Sequence, residues 1–258
     1  MKFVDTHAHL LDGRLACRAD DIVANLESDN LEFVVEISAS VDESPCALRF
    51  AQAHDNVYCT LGVHPHVCDK YNDEYERWVI ANATDPKVVA IGECGLDYHY
   101  MKHPKELQRD VFIRQILLAD KVELPLVVHS RDALDDTIEI LTAHKRHLRN
   151  GVLMHCFSYD AEAVRRLLAV TPDTYFAFGG AVTYKGNLHC DKAISAVPLD
   201  RLLLETDSPY LSPVPLRGKI NEPKNVAYVA AHIANVLNVN IKEVAQMTTS
   251  NAKRFYKL

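Results

Sequence analysis

The sequence predicts a closed (β/α)8 barrel, and three observations predict it. Short, apolar, β-branched runs recur along the whole chain, beginning near Phe3, Phe33, Val57, Val88, Leu126, Val152, Tyr175 and Leu202. Their spacing is that of a strand followed by a helix. Several runs, such as Val88-Val89-Ala90-Ile91 and Leu202-Leu203-Leu204, are almost continuously apolar. Strands buried on both faces have that composition, and such strands are parallel. The length, 258 residues, suits one such barrel, which typically needs about 250.

The segments between the runs carry helical patterns. Leu107, Val111, Leu118 and Val122 repeat at steps of four and seven, with Pro104 and Glu106 where a first helical turn accepts them. Val226, Val229, Ile233 and Leu237 make a second stripe, and Asn240 followed by Glu243 has the form of a capping box. Strands alternating with helices give a parallel α/β fold. The count of eight, and the lack of a GxGxxG loop after the first strand, favour a closed barrel over an open doubly wound sheet. No linker or low-complexity stretch divides the chain, so residues 1–258 are expected to form one domain.

The formal net charge is −7. A non-specific duplex-coating protein carries a basic surface, which this chain lacks. An enzyme that reaches phosphates through bound metal is not excluded by that. The seven cysteines include no CxxC pair, so they read as reduced, mostly buried thiols of a cytoplasmic protein. The N-terminus carries no apolar signal segment, and no run approaches about 18 uncharged apolar residues. No membrane and no obligatory protein partner is expected; a monomer is.

Six polar residues stand out against the strands. His7 and His9 follow Phe3-Val4-Asp5. Glu93 ends Val89-Ala90-Ile91-Gly92, His129 ends Leu126-Val127-Val128, and His155 ends Val152-Leu153-Met154. Asp207 follows Leu203-Leu204-Glu205-Thr206. In a closed barrel the C-terminal strand ends converge on one face, where active sites sit. One such histidine is usually an ordinary polar residue. Four imidazoles and two carboxylates, each at a strand terminus, form a donor set for divalent metal. The set suffices for two ions if Glu93 bridges them. Alternation turns Cys94 and Cys156 away from this side, as packed thiols.

The motifs Thr6-His7-Ala8-His9-Leu10, Gly62-Val63-His64-Pro65-His66, Gly92-Glu93-Cys94-Gly95-Leu96-Asp97-Tyr98, His129-Ser130-Arg131, His155-Cys156-Phe157-Ser158 and Glu205-Thr206-Asp207-Ser208-Pro209-Tyr210 resemble the TatD family of amidohydrolase-like metal barrels. The resemblance runs in order from residue 3 to about 256 and includes Arg217-Gly218-Lys219-Ile220-Asn221-Glu222-Pro223. Cys94 stands where many relatives carry a small aliphatic residue, a departure that touches no ligand. The resemblance implies one metal held by His7, His9, Glu93 and Asp207, and a second by Glu93, His129 and His155. It also implies divalent-metal-dependent nuclease action, especially on DNA, with removal from the 3′ end.

Metal-bound water has a lowered pKa, and Asp207 can accept its proton as general base. Glu205 faces the same way but deeper, as a buried hydrogen-bonded carboxylate. His64 suits contact with a substrate phosphate. Asp97, Arg131 and Tyr98 are expected at the rim or behind the ligands. Lys185, Arg217, Lys219 and Lys224, on loops after the last two strands, are expected to form a basic lip. The expectation is therefore a deoxyribonuclease using two divalent ions (Mg²⁺, Mn²⁺ or Zn²⁺), with Asp207 and Glu93 catalytic and His64, Asp97, Arg131, Arg217 and Lys219 meeting substrate. The competing expectation is an amidohydrolase or esterase of small molecules on the same metals, because a metal barrel serves many reactions.

Overall fold

The structure, a computed structural model, describes residues 1–258. Eight strands form one sheet in chain order: β1 (Phe3–Ala8), β2 (Leu31–Ile37), β3 (Val57–Leu61), β4 (Val88–Asp97), β5 (Leu126–Arg131), β6 (Val152–Met154), β7 (Thr174–Phe178) and β8 (Leu202–Leu204). Each neighbouring pair is parallel. Eight helices follow the eight strands: α1 (Ala19–Ala24), α2 (Ser44–Ala53), α3 (Asp73–Asn82), α4 (Lys105–Lys121), α5 (Leu134–Ala143), α6 (Ala161–Val170), α7 (Leu188–Ala196) and α8 (Val226–Leu237). A ninth, α9 (Ile241–Tyr256), ends the chain. The (β/α)8 barrel read from the sequence is the fold observed.

The seam between first and last strands is joined by several hydrogen bonds. Thr6 Oγ1 donates to Leu204 O at 2.9 Å, Asp207 N to His7 O at 2.9 Å, and His9 N to Ser208 O at 2.7 Å. The Asp5 carboxylate accepts Thr206 N at 2.9 Å and His7 N at 3.2 Å. These contacts fix the residues that follow β1 and β8 against one another, and His7, His9 and Asp207 are among them.

Strand alternation divides the apolar residues into two cores. Leu31, Val57, Val88, Leu126, Val152 and Leu202 pack outward against the helices. Phe33, Val35, Val89, Val127, Leu153, Tyr175 and Leu203 fill the barrel, joined by Phe255 and Tyr256 of α9. Lys257, just beyond α9, reaches Glu123 O and Asn150 Oδ1 on the loops entering β5 and β6. The last helix therefore closes the N-terminal end of the barrel, leaving the other end open. The capping box that starts α9 is formed as the sequence indicates: Asn240 Oδ1 accepts Lys242 N and Glu243 Oε2 accepts Asn240 N. Such a cap stabilises a helix by about 1 kcal/mol.

Two local expectations need correction. Glu93 does not end its strand, because β4 continues to Asp97. Gly92 and Gly95 adopt φ of 130° and 135°. A Cβ on them would collide with the carbonyl oxygens of Val127 and His129, so only glycine lets β4 run this close to β5. The second correction concerns Cys156. Strand alternation stops at Met154, and Cys156 takes φ of 45° with its N–H donated to Glu205 Oε1 at 2.7 Å. It is half-buried, Cys17 and Cys46 are exposed, and the other four cysteines are buried; none forms a disulfide. No helix is long and apolar enough to cross a membrane.

Candidate metal centre

Interior-facing alternation carries the site. Val127 points into the barrel, so His129, two residues further along β5, points inward at its open end; His155 and Glu205 follow directly on β6 and β8 and lie beside one another there. Glu93 enters from β4, His7 from β1, His9 just after β1 and Asp207 after β8. His7, His155, Glu93 and Glu205 are buried.

Glu93 stands at the centre, and its two oxygens face different groups. Oε1 lies 2.8 Å from His129 Nδ1, 2.8 Å from His155 Nε2 and 3.5 Å from His64 Nε2. Oε2 lies 3.5 Å from His7 Nε2 and 3.8 Å from His9 Nε2. Asp207 Oδ1 closes that second group, 3.7 Å from His7 Nε2 and 3.5 Å from His9 Nε2. The six residues read from the sequence are thus brought together. Three overlapping triads among them and His64 have donor atoms close enough to share an ion: His7–His155–Asp207, His7–His9–Glu93 and His64–Glu93–His129.

Ring contacts decide which nitrogen each imidazole offers. His129 Nε2 lies 3.1 Å from Asp97 Oδ2. Carboxylates accept at both ring nitrogens, Glu93 at Nδ1 and Asp97 at Nε2, which favours the charged ring; in the neutral ring that a metal needs, hydrogen kept on Nε2 toward Asp97 would leave the Nδ1 lone pair toward the centre. His155 Nδ1 faces Glu205 Oε1 at 3.5 Å, leaving Nε2 toward Glu93. His64 is the opposite case: its Nδ1 accepts His66 N at 3.1 Å. Its neutral form therefore carries hydrogen on Nε2 and is a donor into the site. This makes His64 a poorer ligand than its position in a triad suggests.

Two further observations bear on whether divalent ions fit. His7 is fully buried, yet neither ring nitrogen has a hydrogen-bond partner, and His155 Nδ1 also lacks one. Buried polar atoms are normally paired, and metal coordination would satisfy His7 Nε2, the nitrogen that faces Glu93 and Asp207. Electrostatics agree. Burial alone would raise the Glu93 carboxyl, but His155, His64 and His129 hold it well below the usual carboxylate range. Burial opposes charge on His155, yet Glu93 and Glu205 raise it well above its ordinary value. Glu93 is therefore held ionised, and the imidazole and carboxylate donors around it suit first-row divalent ions.

Asp97 takes the second of its two expected places, behind the ligands. It does not lie at a substrate-facing rim: it is 1 % exposed and supports His129. Its Oδ1 accepts Tyr100 N at 2.9 Å, and Oδ2 also lies 3.0 Å from His66 Nε2, at an angle too poor for a hydrogen bond. Burial would raise the Asp97 carboxyl, but His129, the Tyr100 N–H and His66 together hold it far down. Glu205 is the buried carboxylate expected. The sequence reading passed over Asp5 and Glu36. Burial pushes Asp5 up to about 8 despite hydrogen bonds from Thr206 and the His7 N–H. Glu36 is buried on β2 and accepts Leu10 N at 2.6 Å and Leu11 N at 3.3 Å, holding the turn after His9. An acidic residue inside an otherwise apolar strand run was the available signal for both.

Around the mouth, Arg131 ends β5, Lys185 follows β7, and Arg217 and Lys219 follow β8; all four are exposed with no carboxylate in ion-pair range. Tyr98 is half-buried, donating to Asp136 Oδ2 at 2.6 Å. Lys224 does not belong to the lip as a free cation, because Glu222 lies 2.7 Å away and also pairs with Arg18.

The chain resembles known proteins over its whole length. It is 37% identical to the uncharacterised metal-dependent hydrolase YabD of Bacillus subtilis (strain 168), covering 98% of both chains. It is 38% identical to the uncharacterised metal-dependent hydrolase YcfH of Escherichia coli (strain K12), covering 100% of this chain and 97% of that one. Among solved structures, YjjV, a TatD homologue from Escherichia coli K12, superposes with a TM-score of 0.89 at 25% identity, over 99% of this chain and 98% of that one. Residues 4–257 match the family described as TatD related DNase. With the barrel, the donor cluster and these relatives in agreement, the chain belongs to the TatD family of metal-dependent hydrolases.

Proposed function

We propose that this chain is a divalent-metal-dependent deoxyribonuclease that trims DNA, or single-stranded nucleic acid generally, from its 3′ end. The observation that carries the reading is the division of Glu93: one oxygen toward His129 and His155, the other toward His7 and His9 with Asp207 beside them. In this reading His7, His9, Glu93 and Asp207 hold one ion, and Glu93, His129 and His155 hold the other. Two ions so placed supply Lewis acidity and charge stabilisation for in-line displacement at a phosphodiester.

The chain's own residues do the rest. Asp207 is half-buried at the open end and takes the proton of the attacking water. Glu93 keeps the two donor groups in fixed relation. Asp97 and Glu205 set the rings of His129 and His155 from behind. His64, with hydrogen on Nε2, donates to a non-bridging phosphate oxygen. Arg131, Arg217 and Lys219 meet phosphates of the strand beyond the scissile bond, despite the acidic total charge. The family description, TatD related DNase, supports the substrate class.

The test uses oligonucleotides labelled at the 5′ end, with Mg²⁺, Mn²⁺ and Zn²⁺ supplied singly, beside a panel of amides and esters. The reading expects a ladder shortening one nucleotide at a time. It also expects Arg217→Ala with Lys219→Ala to flatten the salt dependence of binding without changing metal content. No cleavage with any ion, together with turnover of an amide or ester, would assign the site to small-molecule hydrolysis.

A further inference from the structure

Three arginine–tyrosine pairs stand on the loops around the open end of the barrel. The Arg14 guanidinium lies 4.1 Å from the ring centroid of Tyr210, joining the loops after β1 and β8. Arg131 lies 4.8 Å from that of Tyr100, joining β5 to the loop after β4. Arg217 lies 4.4 Å from that of Tyr184, joining the loops after β8 and β7. Each pair thus links two different strands on the face that holds the metal centre.

Structural packing alone accounts poorly for the Tyr100 and Tyr210 pairs; Tyr184 is half-buried and donates its hydroxyl to Ser212 O at 2.9 Å. Tyr100 and Tyr210 remain 53 % and 43 % exposed, so little apolar area is buried by them. Only Arg14 has a carboxylate partner, Asp12; Arg131 and Arg217 have none. Two of the pairs also stand beside inner imidazoles. Tyr210 stands edge-on to His9 with ring centroids 5.9 Å apart, and Tyr100 edge-on to His66 at 5.4 Å. Flat faces bearing positive charge therefore begin directly beside the donor cluster.

Unpaired nucleobases stack on aromatic rings and on guanidinium planes, and a guanidinium also meets phosphate. We propose that the three pairs form a base-stacking rim, which receives the unpaired bases of a single-stranded nucleic acid next to the phosphodiester held at the centre. The inference rests on the nuclease reading and deepens it: the rim selects strands whose base faces are free. Duplex DNA, whose base faces are stacked on one another, meets the rim only at a frayed end.

The test is fluorescence anisotropy of the full chain, held in chelator so that no strand is cut. Its probes are a fluorescein-labelled ten-residue oligothymidylate and an abasic strand of the same length and charge. The rim predicts at least tenfold tighter binding of the base-bearing strand, by the usual worth of one stacked base. Tyr100→Ala should remove most of that preference, and Tyr210→Ala should act alike if its melting temperature is unchanged. Arg131→Lys keeps the charge but loses the plane; it should lower the preference while leaving the salt dependence as it was. Equal affinity for the two strands, including no measurable binding of either, overturns the rim, as does a preference that survives Tyr100→Ala and Arg131→Lys. Cleavage with metal restored separates the two ideas. A chain that prefers bases yet cuts neither strand keeps the rim and removes the nuclease reading. One that cuts both strands but binds them equally does the reverse.

Discussion

Asp97 Oδ2 lies 3.1 Å from His129 Nε2, and this contact turns the other nitrogen of His129 onto Glu93 at 2.8 Å. In the neutral ring that a metal needs, the Asp97 carboxylate would accept the Nε2 hydrogen and Nδ1 would offer its lone pair to the centre. Partners of this kind typically change metal affinity about 10- to 100-fold when removed. Asp97→Asn should weaken metal binding by that order in equilibrium dialysis, and excess metal should restore most of kcat. Unchanged affinity would show that His129 needs no orienting partner.

Glu93→Ala removes the carboxylate between the two groups of imidazoles. Metal content should fall for the whole site and hydrolysis should be lost. The fold should survive, because the barrel interior below is packed by Val89, Val127, Leu153 and Leu203. A variant that retains two ions by elemental analysis would rule out the bridging role.

Asp207→Asn keeps the shape but removes a base and a negative charge. A loss in kcat on the order of 10²-fold or more is expected for removal of a general base, with a smaller loss of metal than in Glu93→Ala. A kcat within about twofold of the parent would move the base elsewhere, with Glu205 the nearest carboxylate in sequence.

Glu36 links the site to pH. Burial, partly offset by His9 and by the N–H groups of Leu10 and Leu11, pushes its carboxyl up to about 7. The folded value lies above the unfolded one, about 4.3, so the folded chain holds this proton more tightly. The corresponding stability is fully present below about pH 4 and is lost as pH rises through about 7. In urea unfolding of the metal-stripped chain, Glu36→Gln should flatten the fall in stability between about pH 4 and 7. Parallel profiles for parent and variant would mean that Glu36 does not titrate in this range.

The strands were legible because each is an apolar run that a double-sided burial environment demands. The six central residues were legible because they follow such runs, at the end of the barrel where strand termini converge. The extent of β4 was not legible, because the apolar run stops at Ile91 while Gly92 and Gly95 carry the strand on in close approach to β5. The choice between rim and supporting position for Asp97 stayed open in the sequence for a related reason. It depends on the register of β4 against β5, where Asp97 pairs with Arg131 and Gly95 with His129. The Arg14–Tyr210 pair joins opposite ends of the chain across the barrel seam, which no local pattern announces.

The most direct measurement of the central claim combines metal analysis with cleavage. The chain is stripped with chelator, verified metal-free, reloaded with a single divalent ion, and assayed at each stage on a 5′-labelled oligonucleotide. The account predicts no hydrolysis when stripped, recovery on reloading, and saturation at two ions per chain. Full hydrolysis by the verified metal-free chain would contradict it.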